Sequence, residues 1–170
     1  MTTEERREEV LQRLQEAAGP LSGTKLARQL GVSRQIIVGD ISILRASGKQ
    51  VYATPRGYVL PKERTEASEL VTLVCKHSAE DMERELNAIV DNGGEVLDVL
   101  VEHSVYGPIR ADLLLTSRRD VRAFLSKMAK CKANPLLVVT GGVHMHTVRV
   151  PDEGALQAIR QELADAGILC

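Results

Sequence analysis

The stretch from Leu21 to Arg45, LSGTKLARQLGVSRQIIVGDISILR, narrows the possible folds of this chain more than any other. Helical apolar spacing lies on both sides of a glycine. Leu26, Ala27 and Leu30 form the inward stripe of a short first helix, and Gly31 allows a tight turn after it. Ser33 stands where a second helix needs a cap, its hydroxyl able to accept an orphan backbone N–H. In that second helix Ile37, Ile41 and Leu44 recur at i, i+4 and i+7, one buried stripe. The outward residues are Gln35, Val38, Ser42 and Arg45, with Ser33 and Arg34 at the N-terminal end. Short polar and basic side chains there are what a major-groove reader presents. An ordinary pair of helices with solvated charges would share this spacing, so the residues that follow decide.

Gly48 is expected to end the second helix, and Gln50 to Leu60 reads as two short strands around a Thr54-Pro-Arg-Gly57 turn. A helix-turn-helix followed by a β-hairpin is a winged helix, and Arg56 at the hairpin tip is placed to reach phosphate or minor groove. A leading helix from Glu4 to Ala18, with Val10, Leu11, Leu14 and Ala17 inward, completes a DNA-binding module over residues 1–61. The run from Gly31 to Gly48, followed by Arg56-Gly-Tyr-Val-Leu60, resembles the DNA-binding domain of the biotin-operon repressor family.

Charge agrees with that division. The 170 residues carry a net charge of −1, but residues 1–64 hold 11 Lys and Arg against 7 Asp and Glu, and residues 65–170 hold 11 against 16. A basic head on an acidic body suits a DNA-binding module joined to a regulatory domain. With three Tyr, one Phe and no Trp, the chain lacks the stacking platforms of single-strand binders, which leaves duplex DNA. No run approaches the about 20 apolar residues of a membrane span, and the N-terminus, charged in both signs, is unlike a signal peptide. Cys75, Cys131 and Cys170 form neither a disulfide framework nor a CxxC site. A cytoplasmic protein without membrane association is expected.

Lys62 to Ala67 reads as a short polar linker to a second domain over residues 68–170. Val71, Leu73, Cys75 and His77 share one face of a strand, and Ser78 is placed to cap a helix from about Ala79 to Asn92. Leu97, Val99, Val101 and His103 are in phase on the next strand, which pairs with one from Tyr106 to Leu115. Ser117 caps a helix from Arg118 to Lys130. Leu136 to Thr140, Gly141-Gly142 and Val143 to Val150 read as a hairpin with a two-glycine turn, and Asp152 caps a last helix to about Asp165. The order β-α-β-β-α-β-β-α predicts an α+β fold: a winged helix-turn-helix followed by a mixed α/β sandwich with helices on one face of a sheet.

All four histidines lie in this second domain, each near a strand end and in phase with the buried face. His144 and His146 alternate with Met145, and Val148 and Val150 continue their side. A His-x-His pair on a strand is a good metal unit, because period 2 aims both imidazoles to one side. His77 can add a third nitrogen. Glu85, at the boundary of a helix stripe made of Met82, Leu86, Ile89 and Val90, can add a carboxylate. Such a set suits a borderline ion such as Zn²⁺, Ni²⁺, Co²⁺ or Fe²⁺ rather than Mg²⁺ or Ca²⁺.

His77, His103 and His144-Met-His146 behind a winged helix resemble the three-histidine (3H) domain of niacin-responsive transcriptional repressors. The resemblance implies a homodimeric repressor of NAD biosynthesis or niacin uptake genes, with nicotinic acid as co-repressor acting at duplex operator DNA. It also implies a divalent metal, nickel or zinc, held by His77, Glu85, His144 and His146. His103 matches the remaining family histidine, in its His-x-Val-Tyr-Gly setting. Beside it Tyr106 offers a stacking ring, and Arg110 can fork onto a carboxylate; Arg149 faces away from the histidine pair by strand parity. His103, Tyr106 and Arg110 are therefore the expected effector contacts. Ligand and metal would act by population shift, setting the spacing of two winged helices for half-sites one DNA turn, or a multiple of it, apart. The alternatives are a regulator whose effector is the metal itself and, less favoured, a DNA-tethered metalloenzyme. A biotin ligase is ruled out by length and by the lack of a Gly-Arg-Gly-Arg-type loop.

Overall fold

The computed structural model describes residues 2–61 and 68–170, and the chain divides into two compact units, Met1–Glu63 and Arg64–Cys170. The expected linker from Lys62 to Ala67 lies outside the described residues.

The first unit has three helices and a two-stranded wing. Helix α1 (Thr3–Glu16) begins with a reciprocal cap: the Thr2 hydroxyl accepts from Glu5 N and the Glu5 carboxylate accepts from Thr2 N. That cap starts the helix one residue ahead of expectation, and Ala17 is already extended, so the helix ends two residues early. Helices α2 (Gly23–Leu30) and α3 (Arg34–Ala46) flank Gly31, which takes the left-handed conformation (φ 65) that only glycine adopts without steric cost. Ser33 caps α3 as expected, accepting from Ile36 N at 3.3 Å. The last helical residue is Ala46, and Gly48 ends the helix as expected, left-handed (φ 88) just past the cap Ser47, whose hydroxyl donates to the Leu44 carbonyl.

Val10, Leu14, Leu26, Ile37, Ile41 and Leu44 form the core of this unit, each such side chain contributing about 1.5–3 kcal/mol by leaving water. Asp40 joins the buried stripe of α3, because Arg6 and Arg7 on α1 reach it, Arg6 through two contacts of 2.6 and 3.1 Å. The wing strands β1 (Tyr52–Thr54) and β2 (Gly57–Val59) enclose a two-residue tip, Pro55-Arg56. Gly57 has φ 139, and a Cβ there would overlap the Leu21 backbone, to which the wing is bridged through Tyr58.

In the second unit an antiparallel sheet in the order β3-β6-β4-β5 comprises β3 (Glu69–Lys76), β4 (Glu95–His103), β5 (Gly107–Leu115) and β6 (Val143–Val150). Helices α4 (Met82–Asp91), α5 (Arg118–Cys131) and α6 (Glu153–Asp165) share one apolar core with it. Ser117 and Asp152 cap α5 and α6, accepting from Asp120 N and Ala155 N. Residues 168–170 run along the outer edge of β3, with Lys76 N donating to Ile168 O and Cys170 N to Val74 O.

Three local expectations need correction. Leu136–Thr140 is a 3-10 helix, not a hairpin strand: it follows Pro135, is closed by Gly141 at φ 65, and exposes Val138 and Val139. The element order is therefore β-α-β-β-α-β-α. Ser78 makes no side-chain cap, because the chain enters α4 through a 3-10 turn, Ala79–Asp81. Leu97 is not in the core phase. A register shift in β4, where the five residues from Val96 to Leu100 face four on β6, buries Val96, Asp98 and Val101 instead.

Candidate functional site

The site grows from the pairing of β3 with β6. The register sets Cys75 opposite His144 and Leu73 opposite His146, and the two-residue period sends both histidines into the core with Val148 and Val150. His77 follows β3 directly. Glu85, one turn into α4, meets the imidazoles head on: His77 Nε2 lies 2.8 Å from Oε2, His144 Nε2 2.9 Å from Oε1 and His146 Nε2 3.4 Å from Oε2. Glu85 is 1 % exposed, deeper than its boundary position on the helix stripe suggested. The structure thus brings together all four expected metal residues. Ligand atoms of His77, Glu85 and His144 lie within 4.8 Å of one another.

Each ring is oriented from behind. His77 Nδ1 donates to the Ser78 carbonyl at 2.6 Å, His144 Nδ1 to the Gly142 carbonyl at 2.9 Å and His146 Nδ1 to the Asp98 carbonyl at 2.6 Å. A carbonyl only accepts, so each Nδ1 holds a hydrogen and each neutral ring offers its Nε2 lone pair inward. The β4 irregularity has a purpose here. It turns the Asp98 carbonyl towards His146, while the Asp98 carboxylate accepts from Thr147 N at 3.0 Å. Gly142 sits so close to His77 that a Cβ would lie 2.5 Å from its carbonyl oxygen. The Gly142 carbonyl serves both histidines, also accepting from His77 N at 3.3 Å. The two glycines thus form a point of backbone contact rather than a hairpin turn.

Without a cation, three inward lone pairs facing a carboxylate are mutually unsatisfied unless rings take up protons. The titration tendencies express this. Burial opposes charge on His77 and His146, yet the Glu85 carboxylate outweighs it and lifts both above the usual imidazole range. Burial likewise opposes charge on Glu85, and hydrogen bonds from His144, His146 and His77 hold it below the usual carboxylate range. Burial pushes the Cys75 thiol up, so this fully buried cysteine packs beside the site as a neutral thiol. Three anchored imidazoles and one carboxylate are a donor set that fits a borderline divalent ion, with backbone carbonyls as the outer support.

A cavity of about 190 Å³ opens against His144, His146 and Glu85. Its walls include Leu86, Val99, Leu113, Phe124, Met128 and Leu137, with Asn134 a polar side chain on the lining. An apolar cavity of about 150 Å³ holds one benzene ring, so this one is matched to a single small ring. Phe124, Met128 and Leu137 were not singled out from sequence, since apolar positions on a helix stripe look alike whether they face a core or a cavity.

The expected effector contacts lie elsewhere. His103 Nδ1 accepts from Val105 N at 3.1 Å and Tyr106 N at 3.2 Å, and its ring packs on that of Tyr106 at 4.9 Å. His103 ends β4, four residues beyond Val99 in the cavity wall and about 13 Å along the strand, and Tyr106 lies in the turn that follows. Arg110 lies 2.6 Å from the Asp98 carboxylate and 3.8 Å from that of Asp112. None of His103, Tyr106 and Arg110 lines the cavity.

In the first unit, Ser33, Arg34, Gln35 and Ser42 are exposed on or beside α3, and Arg56 is exposed at the wing tip. Val38 is half-buried, and Arg45 Nε donates to the Val51 carbonyl at 2.7 Å, which ties that side chain to the wing. Ile36 and Ile43, which the periodicity did not mark, are large apolar side chains left open to solvent.

A winged helix-turn-helix joined to a compact unit with a buried donor cluster and a small cavity is the plan of a DNA-binding regulator. Residues 6–59 match the helix-turn-helix (HTH) domain family and residues 70–170 match the 3H domain family. The chain is 43 % identical over 166 residues to the "Probable transcription repressor NiaR" of Thermotoga maritima, covering 98 % of this chain and 94 % of that protein. It is 40 % identical over 168 residues to the "Transcription repressor NadR" of Bacillus subtilis, covering 96 % and 92 %. The chain belongs to this niacin-responsive repressor family: a transcription repressor with an HTH DNA-binding domain, in a family that is not enzymatic. No described helix is long and apolar enough to cross a membrane.

Proposed function

We propose that this repressor binds duplex operator DNA as a homodimer, with nicotinic acid as co-repressor, and controls NAD biosynthesis or niacin uptake genes. A divalent transition metal, nickel or zinc, is held by His77, Glu85, His144 and His146. The observation that carries the reading is the convergence of three back-anchored Nε2 atoms and a buried carboxylate on one edge of a single-ring cavity. A bound metal supplies positive charge able to take a pyridine nitrogen or a carboxylate oxygen. The chain's own residues do the rest. The Ser78, Gly142 and Asp98 carbonyls fix the rings, and Phe124, Leu113 and Leu137 shield an aromatic ring from water. Effector binding favours the state with higher operator affinity, a population shift.

Calorimetric titration of nicotinic acid into metal-loaded protein tests this, with nicotinamide and biotin as comparisons and metal-stripped protein as control. Micromolar or tighter binding of nicotinic acid, lost on stripping, is the expected result. Tight metal uptake with metal-dependent DNA affinity, and no binding of any pyridine, would instead identify the metal as effector. That second reading draws on the same donor cluster.

A further inference from the structure

Gly39 lies in the middle of α3, where glycine costs helix stability relative to alanine. The usual structural reasons for a glycine are missing. Its φ is not among the positive values of this chain, and a Cβ built on it would meet nothing within 4 Å. By the 3.6-residue period Gly39 lies about 150° from the middle of the stripe formed by Ile37, Asp40, Ile41 and Leu44, so it faces outward. Ile36 and Ile43 stand one turn before and one turn after it, at 41 % and 45 % exposure. On the opposite flank Val38 is half-buried and Arg45 is drawn to the Val51 carbonyl. The outward face of this helix is therefore a notch at Gly39 between two exposed isoleucines, with Gln35 and Ser42 beside it.

We infer that Gly39 is the point of closest approach to the major groove, and that Ile36 and Ile43 read thymine methyl groups on either side of it. Duplex DNA is the occupant that fits: the helix is the second of an HTH domain, residues 1–61 carry 9 basic against 6 acidic residues, and Arg56 is exposed at the wing tip. Apolar side chains discriminate thymine by its C5 methyl, the one apolar group on a base edge in that groove. A Cβ at Gly39 would fill the notch and hold the helix away from the bases. Gln35, one turn before Gly39, is a residue type that pairs with adenine N6 and N7, so the half-site is rich in A·T pairs where α3 lies. The inference deepens the DNA-binding role of this head and rests on it.

The test uses the full-length, metal-loaded protein with nicotinic acid and a randomised duplex library. Affinities are then measured for the selected duplex and for copies in which single thymines are replaced by uracil, which lacks the methyl. Gly39→Ala is expected to raise the thermal midpoint by a few degrees while weakening the selected duplex about tenfold. Uracil at one or two half-site positions is expected to cost wild type about threefold to tenfold and the Ile36→Ala, Ile43→Ala double variant nothing at those positions. Unchanged affinity in Gly39→Ala, or indifference of wild type to every uracil, overturns the inference while leaving DNA binding intact. Selection of no sequence by wild type would overturn the DNA-binding role itself, and the inference with it.

Discussion

Glu85 is the residue that ties three elements together, because helix α4 carries it while strand β6 and the residue following β3 direct imidazole nitrogens at its carboxylate. Glu85→Gln keeps the volume but removes the charge, leaving buried imidazoles without a full partner. We expect a loss of about 2–3 kcal/mol in the metal-free protein by chemical denaturation, and metal affinity reduced at least tenfold by competition with a chromogenic chelator. The pH dependence follows from the same contacts. His77 and His146 have folded-state values raised above the unfolded value of about 6.5, so the folded chain keeps protons that the unfolded chain releases. Their stabilisation is complete below that unfolded value and is lost as pH rises through the folded values. Glu85 has the opposite sign: its folded value is depressed, and its contribution persists until strongly acid pH. The thermal midpoint of metal-stripped protein should thus fall as pH rises from about 6.5. The increment from added metal should grow over the same range, since metal replaces those protons. Calorimetric scans of both forms in matched buffers would show the two trends diverging. Parallel trends would mean that these rings do not hold the metal.

At the level of elements, the segment before β6 decides whether the site forms. Gly142 is not a ligand, yet its carbonyl holds His144 and the His77 amide, and its φ of 101 and close approach to His77 exclude a side chain. Gly142→Ala should therefore weaken metal binding by about 10–100-fold, with isothermal titration as the measurement. Gly141→Ala, at φ 65 but with open space around its Cβ, should cost stability and spare the metal. How much of this was legible in the sequence varies by element. The inward aim of His144 and His146 was plain, because strict alternation over Val143 to Val150 has one reading once Val148 and Val150 mark the core. The run Leu136 to Thr140 had two readings, since five apolar residues suit a strand or a helical turn, and periodicity cannot arbitrate over so short a length. The β4 irregularity was silent, because a one-residue slip leaves no mark in composition. The burial of Asp40 carried no sequence signal either. The residue sits in phase with Ile41 and Leu44, but its burial depends on Arg6 and Arg7 from a helix 33 and 34 residues away in sequence. Ile36 and Ile43 lie off the stripe of Ile37, Ile41 and Leu44, so their exposure follows from the same helical period that buried those three.

For the whole molecule, the unequal charge of the two units makes DNA affinity a salt-dependent quantity borne by the head. Arg56→Ala at the wing tip should weaken all duplexes by a similar factor and lower the salt slope by about one, because phosphate contacts carry no sequence information. The coupling between units admits a stricter test. If nicotinic acid raises operator affinity by some factor, operator DNA must raise nicotinic acid affinity by the same factor, because both describe one thermodynamic cycle. Allosteric couplings of this kind are typically about 5–150-fold, within reach of titration. Nicotinic acid affinity should accordingly be measured for metal-loaded protein with and without saturating operator duplex, and operator affinity with and without saturating nicotinic acid. Equal factors, both reduced to one in a His144→Ala, His146→Ala double variant, are expected if the donor cluster is the point at which the effector acts on the head. An operator affinity that responds fully to nicotinic acid in that variant would move the effector site away from the histidines. An operator affinity that responds to metal alone, with no change on adding nicotinic acid, would make the metal the signal.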